Sequence, residues 1–297
     1  MGYRTEIADL VKKIQDKRGR PLIVMATGTN HPAINKECVK SLERNMDDIP
    51  CRKGVDIILN STGGDAHAAY RIARALQNRC GDLCIFVPKA ANSAATLMCL
   101  AASQIRMGPL AELGPLDPQM VDPRNPHKRW STLDGQNALY AAEAALTRFY
   151  NVAFETIREQ ADGAVDVHTA LEHATALATA YQQLLLKDVD IIELGRMHSP
   201  LRLLVNYGTN LLTAAEVLVD QQIEETMHIL VYEYPDHEYI IDAHEARFAL
   251  GLPAVEGVDE VDKHAAMVVE RLKDGPCFEV FGVPKAVGKR AGGSSRK

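Results

Sequence analysis

Two short motifs place reactive groups where a strand pattern gives way to a helix pattern. In the first, the apolar run VDIILN is followed by Ser-Thr and by the glycine pair Gly63 and Gly64. In the second, the apolar run LCIFVP leads to Ser93, which stands among small residues in AANSAAT. Paired glycines permit a strained turn and a close approach of backbone to ligand. The two corners therefore predict a backbone N–H donor and a hydroxyl nucleophile for acyl chemistry.

The elements that position these corners alternate between strands and helices. The apolar runs at Pro21–Thr27, at 55–60 and at 83–88 have the length of strands, and helical spacing follows each of them. This alternation predicts an α/β fold with a parallel sheet and right-handed crossovers. A helix and a strand separate Gly64 from Ser93, which returns the chain to the same sheet edge. We therefore expect the two corners to meet there.

The second half of the chain has mainly helical patterns. The alanine-rich stretch from Ser131 to Lys187 predicts two long helices, and residues 210–230 predict another. HILVYEYP has the pattern of a strand, and a capped helix is expected to start near Asp242 and to stop at Gly251. The intervening LGPLDPQMVDPRNPHKRW is rich in turn residues.

These patterns predict one main domain with additions. We expect a single domain over residues 1–256 with a helical insertion at 131–210, and a C-terminal helix with a short extension over 257–284. Residues 285–297 are basic and rich in Gly and Ser, which predicts a disordered tail.

Composition excludes several classes of protein. A net charge of −6 argues against a nucleic-acid partner, because phosphate binding needs a basic face. No apolar run reaches the length of about 18 residues that a membrane span needs. The N-terminal pattern is a charged amphipathic helix rather than a signal peptide, so we expect a cytoplasmic protein.

The cysteines and glycines show no sign of a metal or cofactor site. The six cysteines are scattered, and we expect them to be reduced thiols. Cys80 and Cys84 form a CxxxC pair, but no second pair or nearby histidine completes a zinc site. The GxxxxGK[ST] and GxGxxG phosphate-binding patterns are both absent. We predict no cofactor and no metal.

The order of the motifs resembles the Clp protease/crotonase superfamily. NSTGG, a helix, a strand, AANSAA and a second helix are similar to its pattern, in which an NSPGG-type turn forms the oxyanion hole and a serine among small residues is the nucleophile. VPKAANSAATLMCLAASQIRMGPLAELGPLDPQ and YPDHEYIIDAHEARFALGLPAVE resemble the serine dehydrogenase proteinase family, a Clp-fold branch related to signal peptide peptidase A. The resemblance covers residues 20–120 and 210–256.

This resemblance implies a fold, an activity and a site. The fold would be a spiral sheet core of repeated ββα and βαβ units with flanking helices. The activity would be that of a serine peptidase on polypeptides, in a homo-oligomer. Ser93 would be the nucleophile, with Gly63, Gly64 and Ala94 around the oxyanion. No ATPase signature is present, so any ATP hydrolysis would come from a partner.

Two departures from the family pattern concern the same corners. Ala94 and Ala95 stand where a glycine often follows the serine, and Thr62 replaces the usual proline of the turn. Neither removes the chemistry, because Ala94 still supplies a backbone N–H.

The general base is the least determined part of the site. In Clp proteases a histidine lies one βα unit after the serine, and the acid precedes a later helix. Here the first place offers Asp117 and the second offers His237. We hypothesise that the two are exchanged, with His237 as the base and Asp117 as its orienting carboxylate. Structural roles stay open for both: Asp117 as a turn residue before Pro118, and His237 as a residue at a helix entry.

Other bases remain open. Signal peptide peptidases use a lysine, for which Lys128 and Lys187 are the alternatives here. A lysine base must be buried to lower its pKa, whereas PHKRW has the character of a solvated loop. His67 follows Gly64 on the next helix and is expected to be a wall of the site or a surface residue.

Two further functions are compatible with the same fold. A crotonase-like enzyme would hold an acyl-CoA thioester enolate on the paired N–H groups, with Glu112 as the base. A chain with a disabled site would act as an oligomeric scaffold. The helices between Ala138 and Leu186 are either a subunit interface or part of the intramolecular core.

Overall fold

The computed structural model describes residues 2–27, 33–49, 54–122, 125–187, 189–272 and 279–281. Its strands are β1 (Leu22–Ala26), β2 (Val55–Asn60), β3 (Leu83–Val87), β4 (Ala90–Ala91), β5 (Gln104–Met107), β6 (Glu112–Leu113), β7 (Gln119–Asp122), β8 (Asn125–Ser131), β9 (Ala254–Glu256) and β10 (Glu279–Phe281). Its α-helices are α1 (Gly2–Arg18), α2 (Lys36–Asn45), α3 (Ala66–Cys80), α4 (Ala94–Cys99), α5 (Asp134–Gln160), α6 (Val167–Leu185), α7 (Ile191–Ala215), α8 (Asp220–His228), α9 (Ala243–Phe248) and α10 (Glu260–Arg271). The described chain divides into two compact units, unit 1 (Met1–Leu116 and Leu204–Lys297) and unit 2 (Asp117–Leu203).

The core of unit 1 is a six-stranded sheet in the order β10-β1-β2-β3-β5-β9. Only β10 is antiparallel to its neighbour, and the other pairings are parallel. All residues of β1 and β3 are buried, which agrees with the continuous apolar runs of a sheet covered on both faces. On one face α1 and α10 pack together over β1, β2 and β3. The α/β fold with a parallel sheet and flanking helices is confirmed.

A second, smaller layer of pairings follows the ends of the parallel strands. β4 pairs with β6 in parallel. Single bridges extend this layer on both sides, and they join Ile34 to Gly64, Ser61 to Ala91 and Leu113 to Ile241. Backbone pairings therefore connect the segments around Gly64, Ala91 and Ile241 beyond the carboxyl ends of the main sheet.

Unit 2 consists of a β-hairpin and long helices. β7 and β8 are antiparallel, and α5 packs along α6. On α6 the inner face is made of small buried residues, namely Ala170, Ala174 and Ala178. None of the residues of α5 is fully buried in the described chain. The two long helices expected between 131 and 187 are thus present.

Three local predictions are corrected by the structure. HILVYEYP is not a strand, because α8 runs through His228 and continues as a π-helix over Ile229–Glu233. Ile223, Met227 and Leu230 are all buried, so the apolar residues follow the helical period across that boundary. The segment expected to consist of turns contains the β7–β8 hairpin, which places Lys128 on a strand rather than in a loop.

The third correction concerns the cysteines. Cys38, Cys84 and Cys99 are free and buried, whereas Cys80 is disulfide-bonded. Spacing along the chain does not reveal which thiols meet in space.

The predicted tail at 285–297 lies outside the described residues. No helix in the described ranges is both long enough and apolar enough to cross a bilayer.

Candidate active site

Ser93 occupies a strained corner between β4 and α4. Its backbone has φ 52° and ψ −115°, a left-handed conformation that costs a residue other than glycine about 1–3 kcal/mol. The corner is held from both sides: Asn92 N–H donates to Ser61 O at 3.0 Å, and Leu97 N–H donates to Ser93 O at 3.0 Å. All six residues of α4 are buried, which anchors the helix that follows. Strained backbone of this kind is typical of a nucleophile raised above a sheet.

The Ser93 hydroxyl is available for reaction. Ser93 stands at the cap position of α4, but its side chain makes no capping hydrogen bond. Nor does Oγ have a hydrogen-bond partner elsewhere among the described residues, and the residue is half-buried. The neighbouring hydroxyl differs, because Thr96 Oγ1 lies 2.6 Å from the carbonyl oxygen of Ala91 and 2.7 Å from that of Gly114, so that its single proton is shared between them. Thr96 therefore supports the corner while Ser93 remains uncommitted.

The glycine turn has left-handed backbone at both positions, with φ 112° at Gly63 and 142° at Gly64. Gly63 is committed to structure: its N–H donates to Ser61 Oγ at 3.1 Å and its carbonyl accepts from Ile34 N–H at 2.8 Å. The N–H of Gly64 donates to no group in the described part of the chain. Of the two glycines, only Gly64 offers a spare donor.

The two corners are in contact. A methyl group placed on Gly63 would lie 3.0 Å from Ser93 Cβ and 3.4 Å from the Ala94 backbone nitrogen. The expectation that a crossover returns both motifs to one sheet edge therefore agrees with the geometry. A small side chain at position 63 would already crowd Ser93.

We expect Gly64→Ala to destabilise unit 1 by about 3 kcal/mol. The added Cβ would lie 2.2 Å from the Ile34 carbonyl oxygen and 2.6 Å from its nitrogen, and backbone cannot yield as a flexible side chain does. Urea unfolding followed by circular dichroism measures the loss. Gly81→Ala is the matched control, because Gly81 has φ 71° but open space around it, so that only the backbone cost of about 1 kcal/mol applies. Equal losses in the two variants would contradict the steric argument.

His237 lies in a turn that joins the same small layer. The carboxylate of Asp236 accepts from Glu238 N–H at 2.8 Å, and four residues after His237 the chain pairs with β6. That pairing is reciprocal, with Leu113 N–H donating to Ile241 O at 2.9 Å and Ile241 N–H to Leu113 O at 3.0 Å. Since β6 also pairs with β4, the segment of His237 belongs to the layer that leads into Ser93. His237 itself is half-buried.

Asp117 is a buried residue at the start of unit 2. Its carboxylate accepts from Ser131 Oγ at 2.7 Å, from Gln119 Nε2 at 3.2 Å and from Thr132 Oγ1 at 3.4 Å. Ser131 Oγ in turn accepts from Leu133 N–H at 2.9 Å, just before α5 begins. Asp117 is thus more than a turn residue before proline, since its carboxylate organises the entry to the helices of unit 2.

The alternative bases have different surroundings. Lys187 is exposed, so it lacks the burial that a lysine base requires, and the side chain of Lys128 lies outside the described residues. His67 is exposed on the first turn of α3, with Nδ1 2.9 Å from Tyr207 Oη. Glu112 Oε1 accepts from Nδ2 of Asn92, the residue directly before Ser93, at 3.0 Å.

A buried thiol near the site does not compete with Ser93. Cys99 is completely buried at the end of α4, and this burial raises the pKa of its thiol. Burial likewise raises the pKa of Cys84 to about 12. Both thiols are protonated at neutral pH and poorly nucleophilic. Ser93, by contrast, is half-buried rather than fully buried.

A separate cavity of about 380 Å³ lies between the ends of β3 and β5 and helix α10. Its lining includes Phe86, Arg106 and Val258, and none of the predicted site residues contributes to it. The described residues also contain no group of three or more His, Cys, Asp or Glu side chains arranged to hold a metal ion.

Part of this chain is similar to a known family of serine proteinases. Residues 31–128 match the sequence model of the ClpP-like SDH-type serine proteinases, a segment that includes both corners. This confirms the resemblance to the Clp-fold proteinases and supports a peptidase function.

The other similarities are shorter or weaker. Two uncharacterised proteins of Methanocaldococcus jannaschii are 42% identical over 71 residues and 33% identical over 86 residues. These matches cover 24% and 29% of this chain, which spans only 25% and 28% of the lengths of those relatives. Among solved structures, a mutant of the 1510-N membrane-bound stomatin-specific protease aligns with a TM-score of 0.31 and 18% identity, over 57% of this chain and 70% of that chain.

Proposed function

Because residues 31–128 match the sequence model of the ClpP-like SDH-type serine proteinases, we propose that the protein hydrolyses peptide bonds through an acyl-enzyme on Ser93. The observation that carries the proposal is the uncommitted Ser93 hydroxyl on a strained corner in contact with the glycine turn. The two corners together provide strained backbone at Ser93, small neighbouring residues and the spare N–H of Gly64. A serine that served only to cap α4 would direct its hydroxyl at the backbone of that helix.

The reaction follows the chemistry of acyl transfer. Ser93 Oγ attacks the peptide carbonyl carbon, and the N–H groups of Gly64 and Ala94 stabilise the oxyanion. Gly63 shapes the turn rather than donating, because its N–H is held by Ser61. His237 accepts the serine proton and passes it to the leaving amine, after which water attacks the ester with His237 again as the base. For the orienting carboxylate we retain Asp117, on the hypothesis that the histidine and acid positions of the Clp pattern are exchanged in this chain.

Labelling with a fluorophosphonate probe, read by intact mass, tests the proposal. The wild type should gain one adduct, because such probes phosphonylate an activated serine, and Ser93→Ala should gain none. Equal labelling of Ser93→Ala would remove Ser93 from the mechanism. An unlabelled wild type would favour the crotonase-like or scaffold function, since neither needs an activated serine.

We propose further that copies of the chain associate through the helices of unit 2. Thirteen of the twenty large apolar residues found exposed in the described chain lie between Leu139 and Ile192. Exposed apolar surface of this extent marks an interaction site. A second copy of the chain is the partner we propose, because two identical apolar faces that pair about a two-fold axis bury each other's exposed residues.

Charge placed on that surface should dissociate the oligomer. Leu177 and Leu184 are 49% and 72% exposed, and they lie two turns apart on the same face of α6. The double change Leu177→Glu with Leu184→Glu should raise the dissociation constant at least about 30-fold in light scattering. Thr179→Glu, an exposed position on the same helix, is the matched control. A chain that is already monomeric, at 32.6 kDa, without any change would contradict the proposal.

A further inference from the structure

The turn that carries His237 is closed by one carboxylate. Tyr234 Oη donates to Glu245 Oε1 at 3.1 Å, and Tyr239 Oη donates to Glu245 Oε2 at 3.4 Å. The two tyrosine rings also contact each other, with centroids 4.6 Å apart. His237 lies between the two tyrosines in sequence, so both ends of its turn are tied to the same side chain. We call these three residues, Tyr234, Tyr239 and Glu245, the tyrosine clamp.

The anchor of the clamp is itself fixed. Glu245 lies in the first turn of α9, and its N–H donates to the carboxylate of the capping residue Asp242 at 2.8 Å. The next residue, Ala246, is fully buried, which seats α9 against the core. One residue before the cap, Ile241 is bonded to Leu113 of the small layer. A displacement of Glu245 relative to this layer would therefore have to break several bonds.

The hydroxyls remain donors over the working range of pH. Burial, followed by the charge of Glu245, raises the pKa of Tyr234. The charge of Glu245 also raises the pKa of Tyr239. Both tyrosines stay protonated at neutral and mildly alkaline pH, so the carboxylate keeps two donors.

We infer that Glu245 is a positioning residue, which holds the turn of His237 in place for proton transfer through the tyrosine clamp. The inference rests on the proposed role of His237 as the base. A catalytic group must be held to about 0.5 Å, and a displacement of about 1 Å can cost 100-fold in rate. The clamp ties both ends of the stretch from Pro235 to Glu238, beside the hydrogen bonds that Asp236 makes within the turn.

The test measures fluorophosphonate labelling of Ser93 in the full chain, with the inactivation rate constant and the apparent binding constant determined separately. Glu245→Ala should lower the rate constant about 100-fold and leave the binding constant unchanged. Glu245→Gln keeps a carbonyl oxygen that accepts from one tyrosine and gains an NH2 group that donates to the other. Its inactivation rate constant should lie within about tenfold of the wild-type value. Glu238→Ala, an exposed carboxylate in the same turn, is the matched control.

Labelling of Glu245→Ala at the wild-type rate would overturn the inference, as would an equal loss in Glu245→Ala and Glu245→Gln. If Glu245→Ala fails to fold by circular dichroism, Tyr234→Phe with Tyr239→Phe removes both donors but keeps the rings, and must slow labelling in the same way. The proposed function fails separately, if Ser93→Ala is labelled or His237→Ala is labelled at the wild-type rate. A slow His237→Ala beside a normal Glu245→Ala would refute the clamp alone.

Discussion

Ser93→Ala is expected to lower kcat/KM for a fluorogenic peptide roughly 10⁵-fold, because it removes the atom that forms the acyl-enzyme. The free energy of unfolding should change by no more than about 0.5 kcal/mol. Ser93 Oγ has no hydrogen-bond partner in the described part of the chain, so its removal breaks no bond within the fold. The combination of lost activity and retained stability distinguishes a nucleophile from a structural hydroxyl.

The matched control is Ser41→Ala, which removes a hydroxyl from α2 and should leave the activity at the wild-type level. Peptide hydrolysis and chemical unfolding would be measured on the same preparations. Residual hydrolysis by Ser93→Ala at more than a hundredth of the wild-type rate would show that the acyl-enzyme is formed elsewhere.

His237→Ala is expected to lower kcat about 10³- to 10⁴-fold with little change in KM, since a general base acts in the transition state rather than in substrate binding. The protein should remain folded, because the turn is held by Asp236 and by the tyrosine clamp rather than by the imidazole alone. Peptide hydrolysis over a range of substrate concentrations separates the two kinetic constants.

His228→Ala is the control for this prediction. His228 ends α8 and is exposed, with Nδ1 3.3 Å from a carboxylate oxygen of Glu233, so its loss removes a histidine near the same turn without touching the proposed chemistry. A fully active His237→Ala would refute the assignment of the base. Loss of activity in Lys128→Ala or Lys187→Ala instead would transfer that role to a lysine.

The parts of the fold that sequence could predict are those set by local physics. The strand Val55–Asn60 has the predicted ends, because an apolar run bounded by a turn signal leaves little choice. Asp242 caps its helix as expected, since its side chain accepts a hydrogen bond from Glu245 N–H in the first turn. The position of Ser93 at a helix start follows from the same kind of pattern.

What could not be predicted depends on contacts between distant residues. The left-handed backbone of Ser93 is held by the hydrogen bonds on either side of it, and the residue type serine does not predict such a conformation. Gly63 and Gly64 look equivalent in sequence, but the N–H of Gly63 is bonded to Ser61 Oγ whereas the N–H of Gly64 is not. The π-helix was missed because aromatic and β-branched residues favour strands, whereas here the buried helical face decides the conformation. Tyr234 and Tyr239 carry no signal until Glu245 is seen between them.

The backbone conformation of Ser93 serves the proposed chemistry at a cost to the stability of the fold. If thermodynamic stability alone were optimised, glycine would be the preferred residue at φ 52°, because it adopts that conformation without a penalty. The chain carries serine there, which adds a hydroxyl on the shortest possible stem. The hydrogen bonds and the buried helix around the corner compensate for the penalty. Variants selected for heat resistance alone would therefore tend to lose this side chain, and a more stable variant that keeps Ser93 has to gain its stability elsewhere.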